Sequence, residues 1–150
     1  MYEKLLIEYE EEVEVIEAPL SDNLKGLYAD GVVVVNDKLS TTEKACVIAE
    51  ELGHHYTTAG DILDQSEVIN RKLEKTARNW GYEKLVGLAD LVNAYKSGVR
   101  NRHELAEFLG VTEEFIESAL NYYREKHGLF ATVDGYVVYF EPLGVFEKFF

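Results

Sequence analysis

Four residues that could ligate a metal or move a proton, Glu50, Glu51, His54 and His55, interrupt a largely apolar stretch, Val47-Ile48-Ala49-Glu50-Glu51-Leu52-Gly53-His54-His55-Tyr56. At helical spacing Glu50 and His54 are i and i+4, so they project from one face, one turn apart. Glu51 lies about 100° around the axis. Two ligands at that spacing with a carboxylate between them can grip a divalent metal and handle a water, the chemistry of the H-E-x-x-H pattern. Here a carboxylate, Glu50, stands where that pattern has its first imidazole. Glu74, on the next long helical stretch, lies at a separation that suits a third ligand. His55 offers a rival register with Glu51, but that pairing puts Leu52 where the base belongs. Asp61 and Asp64 are further candidate ligands, although such loop residues are more often turn formers or caps. Cys46 precedes Glu50 by one turn, and the commoner role of such a cysteine is that of a small buried apolar residue.

Other elements must position these groups. Ser40, Thr41 or Thr42 can cap the central helix, with Glu43 completing a capping box from Ser40. Its apolar stripe, Ala45, Ile48, Ala49, Leu52 and Tyr56, should face the core. Gly53 weakens the helix but permits close approach of a neighbouring strand or helix. Upstream, apolar residues at three- and four-residue steps predict a helix over 2–12, followed by a short strand at 12–15 that Pro19 ends. A β-hairpin is expected from Gly26-Leu27-Tyr28 and Val32-Val33-Val34-Val35, turning at Ala29-Asp30-Gly31. Downstream, the helix carrying Glu74 should run from about Ser66-Glu67 to Leu85, a further helix should cover 88–96, and two more should cover 102–126, joined near Gly110. A last hairpin is expected at 129–133 and 136–140, stopped by Pro142, leaving Phe146, Phe149 and Phe150 as an apolar tail. The fold class is α+β and mostly helical, in a single domain over 1–150. A small N-terminal antiparallel sheet lies against the active-site helix, and a β-hairpin closes the C-terminus.

Composition narrows the function. The 150 residues carry a formal net charge of −13, which disfavours contact with phosphate backbones. The 102–126 pair resembles a helix-turn-helix, but its second helix opens with Glu113 and Glu114, a poor guest in the major groove. Packing is its expected role, and no nucleic-acid partner is expected. No apolar run approaches the roughly 20 residues that span a bilayer, so no membrane partner is expected. The N-terminus lacks the regions of a signal peptide. One cysteine allows no internal disulfide, which suits a cytoplasmic location.

The stretches Leu39-Ser40-Thr41-Thr42-Glu43-Lys44, Ala49-Glu50-Glu51-Leu52-Gly53-His54 and Glu74-Lys75-Thr76-Ala77-Arg78-Asn79-Trp80-Gly81 resemble the ImmA/IrrE-type metallopeptidases of phages, integrative elements and stress-response regulators. That zincin-like family shows A-H-E-x-G-H and a later E-x-x-A-x-x-F-A, and the resemblance covers roughly residues 1–125. It implies that His54 and Glu74 are metal ligands and that Glu51 is the general base. Glu50 occupies the first ligand position, where the sequence departs from the family pattern. A carboxylate can ligate Zn²⁺ at about 2.0–2.2 Å, while the oxygen-rich set also suits Mn²⁺ or another hard ion. The implied activity is metal-dependent endoproteolysis of a protein substrate, a helix-turn-helix repressor of a phage or mobile element. The alternative is a metal-free, degenerate domain that binds such a repressor without cutting it. His55, Tyr95 and His103 are candidate oxyanion donors, no better than other surface residues.

Overall fold

Ser40 and Glu43 start the central helix by exchanging hydrogen bonds. Ser40 Oγ accepts from the Glu43 N–H at 3.1 Å and Glu43 Oε1 accepts from the Ser40 N–H at 3.2 Å, the expected capping box. The computed structural model describes residues 1–57 and 67–148. Asp61, Asp64, the loop around them, Ser66, Phe149 and Phe150 lie outside the described residues. Helix α2 (Thr41–Thr57) follows the capping box, and Ala45, Ile48, Ala49 and Leu52 are buried along it as expected. Tyr56 is 43% exposed instead. Its ring stacks on Trp80 at 5.3 Å, on the flank of the helix rather than in the core.

The sheet behind α2 has three strands, β1 (Glu14–Ala18), β2 (Gly26–Ala29) and β3 (Val32–Asn36), in the order β1-β3-β2. The β2–β3 hairpin forms as expected. Asp30 and Gly31 both have positive φ, 46° and 79°, the pair of left-handed residues a two-residue turn needs. β1 pairs with β3 in parallel, so the sheet is mixed rather than antiparallel throughout. Buried Asn36 accounts for this. Its amide donates to the carbonyls of Leu20, Ser21 and Leu24, and its Oδ1 accepts from the Lys38 N–H. The connection at 19–25 is thereby held across the end of β3, which puts β1 and β2 on opposite sides of it. Helix α1 (Tyr2–Glu8) ends four residues short of its expected limit. Glu10, Glu11 and Glu12 would crowd negative charge onto a helix C-terminus that has no basic residue.

Helix α3 (Glu67–Leu85) carries Glu74. The chain forms two compact units, Met1–Gly81 and Tyr82–Phe150, with the boundary inside α3. The second unit contains α4 (Leu88–Lys96), α5 (Arg102–Leu109) and α6 (Glu113–His127). Asn101 caps α5, Thr112 caps α6, and Gly110 takes the left-handed conformation between them. Leu105, Leu109, Ile116 and Leu120 are buried, so this pair packs as a helical hairpin. Tyr123 is buried too, and its hydroxyl donates to the Val86 carbonyl at 2.8 Å, which satisfies it. The C-terminal hairpin, β4 (Phe130–Val133) and β5 (Tyr136–Phe140), gains a third strand, β6 (Leu143–Glu147). Pro142 does not end the sheet: with Glu141 it forms the turn into β6, and Phe146 belongs to that strand. No helix among the described residues is long and apolar enough to cross a membrane.

Candidate metal centre

Small residues let α2 and α3 touch backbone to backbone. A Cβ on Gly53 would lie 2.1 Å from the Ala77 carbonyl oxygen, and one on Gly81 would lie 3.3 Å from the Ala49 backbone. Ala49 and Ala77 are fully buried at the same crossing. Gly53 therefore has the role its position predicted, and the close neighbour is a helix. With the axes this near, side chains on the rim of the contact meet. His54 Nε2 lies 3.1 Å from Glu74 Oε1. One donor atom each from Glu50, His54 and Glu74 falls within 4.8 Å of the others.

Arg78, one turn beyond Glu74, completes the rim. Its Nε lies 3.2 Å from Glu50 Oε1, and its guanidinium comes within 4.0 Å of Glu74 Oε2. The residue matters because three carboxylates otherwise share this space with one imidazole. Its i,i+4 spacing from Glu74 was the signal that could have revealed it. Glu51 turns from the rim toward the sheet. A Cβ on Gly26 of β2 would be 3.4 Å from Glu51 Oε1, so the missing side chain leaves room for the carboxylate under the strand. Burial, and then the negative charges of Glu50 and Glu74, push the Glu51 carboxyl up to about 7.

A family profile described as the IrrE N-terminal-like domain, peptidase family M78, matches residues 10–121. The chain belongs to this family. The IrrE-type match contains Glu50, Glu51, His54 and Glu74, and it assigns a metallopeptidase-type fold and a protein as the class of substrate. The family is zinc-dependent in general. A comparison with individual curated proteins gave no match.

The donor set of this IrrE-type domain suits a divalent ion. Three donors at about 2.0–2.2 Å from one tetrahedral ion stand about 3.3–3.6 Å apart, and the His54–Glu74 pair, at 3.1 Å, is close to that spacing. Glu50 has a carboxylate oxygen within 4.8 Å of both. The remaining candidates are elsewhere. His55 Nδ1 is 2.6 Å from the Tyr28 hydroxyl, and its ring packs edge-on against Tyr56, so the rival register does not join the cluster. Cys46 is half-buried and outside the cluster. Tyr95 and His103 belong to the second unit, where His103 lies 3.1 Å from Glu107 and 3.5 Å from Glu113.

Proposed function

We propose that this chain is a metal-dependent endopeptidase of its family, with Glu50, His54 and Glu74 as metal ligands and Glu51 as the general base. The convergence of one imidazole and two carboxylates, with Glu51 near enough to feel the charges of Glu50 and Glu74, carries the reading. A bound divalent metal, Zn²⁺ on family grounds and Mn²⁺ or another hard ion as the alternative, supplies Lewis acidity toward a scissile carbonyl and an acidified water. Glu51 takes the proton from the attacking water and delivers it to the leaving nitrogen. A carboxyl raised to about 7 is matched to that task, because it can both accept and release a proton near neutral pH. Glu50 fills the ligand position that is usually an imidazole. Arg78 offsets the added negative charge and orients the outer oxygens of Glu50 and Glu74, a common duty of groups behind a metal's ligands.

The substrate in this reading is a helix-turn-helix repressor of a phage or mobile element, met in the cytoplasm, where a lone cysteine stays reduced. The test is cleavage of a purified candidate repressor by the wild type and by Glu51→Gln under Zn²⁺ or Mn²⁺. An amide cannot accept the proton, so the rate should fall on the order of 10²–10⁴-fold while metal and repressor binding persist. Equal cleavage by both proteins would refute the role of Glu51. A second reading, a metal-free repressor-binding module, has one observation in its favour. Arg78 already places a cation on Glu50, so the cluster is partly neutralised without metal. That reading predicts repressor binding without cleavage by either protein, unaffected by divalent ions.

A further inference from the structure

Strand β6 is an edge of the C-terminal sheet, whose order is β4-β5-β6. The Lys148 N–H donates to the Gly135 carbonyl, which sets the antiparallel ladder. Gly144 and Phe146 therefore turn their backbone groups to β5, while Leu143 and Val145 turn theirs to the open edge. A cleft of about 540 Å³ is lined by this strand, by α4 and by the start of α5. Four successive residues, 143–146, line it, although alternate side chains of a strand point to opposite faces, so the backbone edge itself faces the cleft. The far wall is apolar, with Leu91 and the half-exposed Tyr95 of α4.

Among the described residues, Arg100 and Arg102 are the only charged ones that line the cleft, in a chain with 28 acidic and 15 basic residues. Arg102 lies 3.6 Å from Glu117. The Arg100 guanidinium has no ion pair among the described residues, although its backbone N–H donates to Glu104. A cleft positive on so acidic a protein selects an acidic occupant. A second copy of this chain would bring its own charge of −13, and two arginines are too few to hold a nucleic acid against that charge.

We propose that this cleft docks an extended, acidic segment of a partner protein. The segment pairs its backbone with the N–H and C=O groups of Leu143 and Val145. One set of alternate side chains rests on Leu91 and Tyr95, and its carboxylates reach Arg100 and Arg102.

The test is fluorescence anisotropy of the full chain with a dye-labelled peptide of alternating valine and glutamate, and with its valine–lysine counterpart. The wild type should prefer the glutamate peptide by about tenfold or more, and added salt should weaken binding. The double variant Arg100→Glu/Arg102→Glu, both substitutions exposed, should lose or reverse that preference. A probe that leaves the protein untouched is N-methylation of each alternate set of peptide nitrogens in turn. Blocking the set that faces β6 should remove binding. No binding of the glutamate peptide, equal binding of both peptides, full binding of both N-methylated forms, or displacement of the peptide by a dimer of this chain would overturn the proposal.

Discussion

Two helix contacts in this molecule solve different problems. Where α2 crosses α3, the contact is made by Ala49, Gly53, Ala77 and Gly81, and carboxylates and an imidazole crowd its rim. Where α5 meets α6, the contact is made by Leu109, Ile116 and other buried apolar residues, with both helix starts capped. Large side chains bury more apolar area and hold helices farther apart. Small ones give up that area and bring backbones together, so groups on the edge come within ligand distance. The first contact gathers polar side chains and the second buries apolar area.

Ile116→Ala should break only the second contact. It removes a fully buried side chain and should cost about 2–5 kcal/mol in urea unfolding, while metal affinity per folded molecule stays at the wild-type value. Gly53→Ala should break the first. Its methyl would meet the Ala77 carbonyl oxygen at 2.1 Å, forcing α2 from α3 at a cost of about 1–3 kcal/mol. The smaller stability loss should come with the larger loss of function, a fall in metal affinity of roughly tenfold or more as the ligands separate. If Gly53→Ala keeps wild-type metal affinity, the close crossing is not what assembles the cluster.

The α2–α3 contact should also respond to pH, through Glu51. Glu51 is held near 7 by burial and by its acidic neighbours, above its value in an unfolded chain. Its contribution to stability in the metal-free protein is therefore complete below the ordinary carboxylate range and is lost as pH rises through about 7. Glu51→Gln should remove that slope between pH 4.5 and 7, on the order of 1–2 kcal/mol after discounting for partial exposure. Matched chemical-denaturation curves across this range, with chelator present, would measure it. Parallel stability–pH profiles for the two proteins would show that Glu51 carries no such strain.

Local chemistry was legible in the sequence wherever one residue does one local job. Ser40 with Glu43, Thr112 before an acidic turn, and Asp30-Gly31 between apolar runs each encode their own geometry. The cluster was legible because i,i+4 spacing fixes Glu50 and His54 on one face, and because the motif around Glu74 resembled that of a family to which the chain indeed belongs. Three features were not legible, for a shared reason. The parallel placement of β1 depends on Asn36 reaching a distant connection. β6 depends on β5 accepting a third strand beyond Pro142. Arg78 reaches the site only because α2 lies against α3. Each is a tertiary contact: the first two leave no periodic trace in the chain, and Arg78 leaves only its i,i+4 spacing from Glu74. Tyr56 shows the same limit: its spacing fits the core stripe, but Trp80 offers it a flat surface outside the core.

Glu50, His54 and Glu74 should together hold a metal despite the carboxylate in the first position. Elemental analysis by plasma mass spectrometry tests it most directly, on protein purified without chelator or metal-affinity tag, with His54→Ala prepared in parallel. The wild type should carry about one divalent ion per chain and His54→Ala essentially none, with unchanged circular dichroism for both. A wild type that stays metal-free when supplied with Zn²⁺ and Mn²⁺, or a His54→Ala protein that retains the same metal content, would contradict it.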